Sequence, residues 1–118
     1  MKILVVDDSN TMRTIICSTL KDMGDHETET ACDGEDALSK AAAFKPDLIL
    51  LDWNMPKMSG IDFLKAFRAQ GNTVPVIMVT TEAEKTRVLE AIKAGANNYV
   101  VKPFTPETLA KHVSTTIA

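Results

Sequence analysis

Four short stretches of uninterrupted apolar residues punctuate the chain: Ile3-Leu4-Val5-Val6, Leu48-Ile49-Leu50-Leu51, Val76-Ile77-Met78-Val79 and Tyr99-Val100-Val101. None alternates, and continuous apolar runs of this length suit strands buried on both faces of a parallel sheet. A fifth segment, Glu27–Ala31, alternates and is polar, which predicts an exposed edge strand. Between the runs, apolar residues recur at helical steps. Met12, Ile15, Ile16, Leu20 and Met23 form one stripe, ended by Gly24, and Ala37, Leu38 and Ala41 form a second. Ile61, Leu64 and Phe67 form a third, closed by Gly71; Val88, Ala91 and Ile92 form a fourth, with Gly95 just beyond. The last helix opens at Thr105-Pro106, an N-cap followed by a first-turn proline, and carries Leu109, Val113 and Ile117 on one face. These stripes are read as core and imply no cofactor.

Five strands alternating with five helices predict an α/β fold, a doubly wound five-stranded parallel sheet flanked by five helices with right-handed crossovers. Spacing alone leaves the strand order open; among the doubly wound orders, 2-1-3-4-5 is adopted. No repeat, linker or shift in composition divides the chain, so residues 1–118 are expected to form one domain.

Composition changes this picture little. With 45% hydrophobic and 25% charged residues the chain is of ordinary globular character. Its net charge of -3 and scattered lysines and arginines offer no case for nucleic acid. The amino-terminal apolar run is too short for a signal peptide or a membrane span, so a cytoplasmic location is expected. Cys17 and Cys32 form no zinc or redox pattern with His26 or His112, and both histidines are expected at ordinary surface positions.

The ends of the apolar runs carry the chemistry. The first run leads into Asp7-Asp8, the second into Asp52, the third into Thr80 and the fourth into Lys102. Parallel strands bring these ends to one edge, the edge where doubly wound sheets bind ligands. Any one of these residues could cap a helix or sit in a solvated loop. Together they predict a site of three carboxylates, a hydroxyl and an ammonium. Clustered carboxylates repel one another, and a hard divalent cation relieves them. Mg2+ is the expected occupant because it takes one or two carboxylates plus waters and phosphate oxygens, and no His/Cys set favours zinc or copper. A carboxylate in such a site can attack phosphorus and become an aspartyl-phosphate, with Lys102 and Thr80 as donors to the phosphoryl oxygens.

With these residues in place the chain resembles the bacterial response-regulator receiver family, whose fold is flavodoxin-like. The motifs are Val5-Val6-Asp7-Asp8-Ser9, Asp52-Trp53-Asn54-Met55-Pro56 through Gly60, Met78-Val79-Thr80, and Tyr99-Val100-Val101-Lys102-Pro103-Phe104. The resemblance implies that Asp52 is the phosphoacceptor. It implies Mg2+ on Asp8, Asp52 and the backbone carbonyl of Asn54, with Asp7 acting through water. Thr80 and Lys102 would hold the phosphoryl group, the Lys102–Pro103 peptide would be cis, and Thr80 and Tyr99 would form the switch. Asn54 and Glu82 occupy the positions that tune dephosphorylation. The implied output surface is the fourth helix, fifth strand and fifth helix, with Lys85, Val88, Tyr99, Val101 and His112 as candidates and Lys85, Val88, Val101 and His112 expected exposed. The implied activity is that of a switch, not an enzyme: a monomer that takes phosphate from a histidine kinase or a small donor, and loses it slowly.

Within the family, the Asp52–Pro56, Thr80–Glu82 and Tyr99–Thr105 stretches resemble the chemotaxis branch, which implies a chemotaxis-type kinase, a flagellar motor switch protein as target, and a possible phosphatase. A phosphorelay receiver or another motility system is the alternative in this class. A Mg2+-dependent phosphohydrolase with an aspartate nucleophile is the alternative from another class, but such enzymes place a second aspartate where Asn54 stands. A third alternative is the receiver of a transcription regulator; the chain ends at Ala118 directly after the last predicted helix, which leaves no room for a DNA reader if that end is natural.

Overall fold

The computed structural model describes residues 1–117. Strands β1 (Lys2–Val6), β2 (Glu27–Ala31), β3 (Leu48–Leu51), β4 (Val76–Thr80) and β5 (Asn98–Val101) alternate with helices α1 (Asn10–Met23), α2 (Gly34–Phe44), α3 (Gly60–Ala69), α4 (Lys85–Ala94) and α5 (Pro106–Ile117). The strands form one parallel sheet in the order β2-β1-β3-β4-β5, matching the expected topology. β2 is the edge strand on one side and is only partly buried, as its polar alternation requires.

The unbroken apolar runs serve two cores at once. Side chains alternate across a strand, so Leu4, Val6, Ile49, Leu51, Val76 and Met78 pack with Ala37, Phe63, Leu64, Phe67 and Ala91 of α2, α3 and α4. Their neighbours Ile3, Val5, Leu48, Leu50, Ile77 and Val79 pack on the other face with Ile16, Leu20, Leu109 and Val113 of α1 and α5. The helices start where their caps dictate: Ser9, Asp33 and Ser59 each accept a bond from a first-turn amide. Thr105 does the same for α5, its Oγ1 accepting from the Thr108 amide at 3.1 Å.

Several apolar positions assigned to core stripes face outward. Ile15 is 46% exposed, Ile92 48% and Ile117 38%. Ile15 and Ile92 adjoin buried Ile16 and Ala91, and at 100° per residue the neighbour of a core residue turns away from the sheet, whereas Ile117 lies in the last turn of α5, past buried Val113. α4 accordingly buries only Ala91 fully. His26 also departs from the expected surface position: it is half-buried, with its Nδ1 buried and without a partner among the described residues. Among the described residues no helix is long and apolar enough to cross a membrane.

Candidate functional site

The carboxyl ends of β1, β3, β4 and β5 deliver the polar residues to one edge. Beyond β1, the Asp7 amide extends the sheet by donating to the Ala31 carbonyl at 3.1 Å, which holds the Asp7 side chain inward at 1% exposure. Asp8, one residue on, is exposed, and Ser9 caps α1. The Asp52 amide likewise donates to the Val6 carbonyl at 2.9 Å, which fixes Asp52 beside the end of β1. Gly60 is needed here for close approach: its amide donates to the Trp53 carbonyl at 2.8 Å, and a Cβ on it would overlap the Asp52 carbonyl oxygen.

Asp7, Asp8 and Asp52 each offer a carboxylate oxygen, and these lie within 4.8 Å of one another. Lys102 enters from beyond β5, its own amide donating to the Thr80 carbonyl at 2.8 Å. Its Nζ donates to Asp7 Oδ2 at 2.6 Å and to Asp52 Oδ2 at 3.3 Å. The second oxygen of Asp52 accepts from the Trp53 amide at 2.7 Å, and that of Asp7 from the Ser9 amide at 2.9 Å. The Lys102–Pro103 peptide is cis. A cluster made only of oxygen donors, with one side chain open to solvent, fits a hard divalent cation such as Mg2+.

Burial pushes the Asp52 carboxyl above its ordinary value of 3.8; the charge of Lys102 opposes that shift, Asp7 adds to it, and the Trp53 amide opposes it. The folded chain therefore binds a proton at Asp52 more readily than the unfolded chain, and stability falls as pH rises through the raised pKa. In chelator, with no divalent cation, the stability lost between pH 4 and pH 7 is expected to be smaller in Asp52→Asn than in the parent chain. Urea unfolding at a series of pH values measures this; identical slopes in the two proteins would contradict it.

Thr80 is fully buried, and its Oγ1 accepts from the Glu82 amide at 3.3 Å. Glu82 is held twice more. Its carbonyl accepts from the Tyr99 hydroxyl at 2.5 Å, and its Oε1 accepts from Asn54 Nδ2 at 3.2 Å. Asn54, Thr80, Glu82 and Tyr99 thus form one connected chain of hydrogen bonds beside Asp52. Of the proposed output residues, Lys85 and Val101 are exposed, whereas Val88, Tyr99 and His112 are half-buried. The expected exposure of Val88 and His112 is therefore corrected. Val88 lies one turn before buried Ala91, and the His112 ring turns back so that Nδ1 meets the Thr108 carbonyl at 2.8 Å.

Two further side chains border the site without a signal in the sequence pattern. Arg13 Nη1 donates to the Asp7 carbonyl at 2.6 Å. The Arg87 guanidinium lies 5.3 Å from the centre of the Trp53 ring, a cation–π contact that ties α4 to the residue after Asp52. Both contacts join residues whose proximity only the folded turns create.

Residues 3–114 match the response regulator receiver domain family. The chain is 48% identical over 115 residues to the chemotaxis protein CheY of Pseudomonas aeruginosa, covering 96% of this chain and 93% of that one. It is 49% identical over 112 residues to CheY1 of Helicobacter pylori, covering 92% and 90%. Among solved structures, the chemotaxis protein CheY4 of Vibrio cholerae superposes with a TM-score of 0.91 at 44% identity, covering 98% of this chain and 97% of that one.

Proposed function

The chain belongs to the response regulator receiver domain family of two-component signalling, and from that premise we propose that Asp52 accepts a phosphoryl group and that the charged form binds a protein target in chemotaxis. One observation carries this reading: a nearly buried carboxylate whose pKa is raised, beside two other carboxylates and 3.3 Å from a lysine ammonium. Asp7, Asp8, Asp52 and the Asn54 carbonyl are the groups that would hold Mg2+. Bound there, the ion supplies positive charge against the phosphoryl oxygens.

In the proposed transfer an Asp52 oxygen attacks phosphorus. The new P–O bond forms as the P–N bond of a phosphohistidine donor breaks, and the electron pair leaves with the imidazole nitrogen. Lys102 already spans Asp7 and Asp52 and needs only to shift its ammonium to donate to a phosphoryl oxygen. Thr80 accepts from the Glu82 amide through a lone pair, so its O–H remains free to donate to the phosphoryl group as the side chain turns toward it. That turn loosens Glu82, and Glu82 is hydrogen-bonded to Tyr99, so the switch is passed to β5. Phosphorylation adds roughly two negative charges, enough to bias such an equilibrium without building a new fold. Asn54 and Glu82, paired with each other, would set how readily water reaches the acyl phosphate. The hydrolase alternative lacks its acid/base group, because Asn54 carries an amide committed to Glu82.

The proposed partners are a chemotaxis-type histidine kinase upstream, the flagellar motor switch protein at the surface bracketed by Lys85, Val88, Tyr99, Val101 and His112, and a phosphatase. Residues 1–118 are proposed to form one receiver domain that acts as a monomer in the cytoplasm. Trp53, the only tryptophan, reports on the pocket. Its fluorescence is expected to change with Mg2+ and again with beryllofluoride, and the beryllofluoride step is expected to vanish in Asp52→Asn. Saturating Mg2+, about a hundredfold over its Kd, should raise unfolding free energy by about 2.7 kcal/mol, since only the folded chain assembles the three carboxylates. A beryllofluoride response that survives in Asp52→Asn would remove Asp52 from the reaction.

A further inference from the structure

Helices α3 and α4 enclose an open groove of about 800 Å3 that shares no residue with the acidic cluster or with the surface around Tyr99. Its walls carry Lys65, Arg68 and Lys93 around the apolar Leu89, Ala69 and Ala94. Leu89 is 49% exposed, the most of any large hydrophobic residue described. A lone exposed leucine is ordinary on a protein surface. Leu89 differs in lying within a concavity with cations on both sides.

One of the groove's three charges, that of Arg68, is preorganised. None of Lys65, Arg68 and Lys93 pairs with a carboxylate among the described residues. Glu90, the carboxylate in the lining, is taken by Arg87 at 3.5 Å. Arg68 is fixed by five hydrogen bonds, all to neutral acceptors: the Gly95 carbonyl twice, the carbonyls of Asn72 and Val74, and Asn97 Oδ1. Its charge is thereby pinned in the wall without being neutralised, and a ligand need not order it. The chain as a whole is acidic, with a net charge of -3, so this cationic patch runs against the overall balance.

We propose that the α3–α4 groove docks an acidic amphipathic segment of a protein partner, with one apolar side chain seated on Leu89 between Ala69 and Ala94 and carboxylates paired with Lys65 and Lys93, while Arg68, whose five N–H groups are all taken, contributes its charge without a direct hydrogen bond. This is the helix-in-groove mode of peptide recognition, in which an apolar anchor gives affinity and flanking charges give register. A nucleic acid fits less well: the groove has no aromatic ring for base stacking, and the acidic chain repels a polyanion. The groove shares α4 with the proposed output surface but uses Leu89, Lys93 and Ala94 where that surface uses Lys85 and Val88, and its lining includes none of the acidic residues of the cluster, so binding there is tested without phosphorylating Asp52.

The test is an amide-shift titration of the full chain with a pool of short peptides in which glutamates surround a single leucine, isoleucine or phenylalanine. Saturable shifts are expected at Ala69, Leu89 and Ala94. Lys65→Glu combined with Lys93→Glu should weaken binding at least about tenfold, as expected when attractive charges become repulsive. Both lysines are exposed, so the double variant should fold, its thermal midpoint lowered only by placing a negative charge in the last turn of α4 at Lys93; Leu89→Ser, also at an exposed position, should weaken binding several-fold and serves if the double variant does not fold. The proposal is overturned if no peptide in the pool shifts these amides, if shifts centre on Val101 and Tyr99, if the charge-reversed chain binds equally well, or if only heparin or single-stranded DNA occupies the groove.

Discussion

Asp52→Asn is expected to take phosphoryl acceptance from one group per chain to none while making the cation-free protein more stable. Both effects come from the same atoms. The asparagine amide has no oxygen nucleophilic enough to attack phosphorus, and neither Asp7 nor Asp8 can substitute. Asp7 is held by the Ser9 amide and by Lys102 at 2.6 Å, and the carboxylate of the exposed Asp8 sits on the cation side of the cluster, where it would hold Mg2+. The stabilisation follows from the raised pKa, whose largest cause is burial. A group that resists ionising in the folded state destabilises that state when ionised, and an uncharged amide removes the penalty. Lys102 keeps its partner Asp7, so the ammonium is not stranded. Intact-mass measurement after acetyl phosphate and Mg2+ checks the first effect, and thermal unfolding in chelator checks the second. A variant that loses acceptance and also loses stability would mean that the Lys102 pair outweighs desolvation.

Gly60→Ala is expected to cost about 3 kcal/mol, the upper part of the range for overpacking, and roughly 10 °C in Tm for a chain of this size. The added Cβ would overlap the Asp52 carbonyl oxygen, and it would sit 2.8 Å from the carbonyl carbon and 3.1 Å from the Trp53 Cα. All three obstacles are backbone, so none can swing aside as a side chain would. Relief requires either α3 to move off β3 or the backbone at Asp52 to shift, and the Gly60–Trp53 hydrogen bond of 2.8 Å opposes both. Whatever variant folds should therefore also bind Mg2+ more weakly. Gly71→Ala is the comparison. Gly71 has φ of +83° but nothing within 4 Å of a new Cβ, so only backbone strain of about 1–2 kcal/mol applies there, and Mg2+ binding should be unchanged. Chemical denaturation of the three proteins, with and without Mg2+, measures both quantities. Equal losses in the two variants would show that contact at Asp52 is not what Gly60 relieves.

Much of this architecture is legible before any coordinates. Runs such as Leu48–Leu51 mark strands because they are apolar at every position, and the two cores on either side of the sheet explain why no position could be polar. The polar residue that follows each run marks the working edge because a buried carboxylate is tolerated only where partners meet it, and at this edge Lys102 and the Ser9 and Trp53 amides satisfy Asp7 and Asp52. The strand order is not legible in spacing, since it depends on which crossovers pack on which face. Periodicity also overstates burial. Ile15 and Ile92 satisfy a three- or four-residue step but fall on the shoulder of their helices, where the sheet no longer covers them. The contacts least visible in the sequence are those between distant segments with no composition signal. Arg87 over Trp53, Tyr99 on the Glu82 carbonyl, and the gathering of Lys65, Arg68 and Lys93 are all of this kind.

If Asp52 itself becomes an acyl phosphate, as proposed, the modified residue can be identified chemically. The full chain is incubated with acetyl phosphate and Mg2+, reduced with borohydride, which converts an aspartyl-phosphate to homoserine, and sequenced by tandem mass spectrometry. Homoserine at position 52, dependent on Mg2+ and absent at positions 7 and 8, is the expected result. Homoserine at Asp7 or Asp8, or none at any position while the donor is intact and Mg2+ is bound, would contradict it.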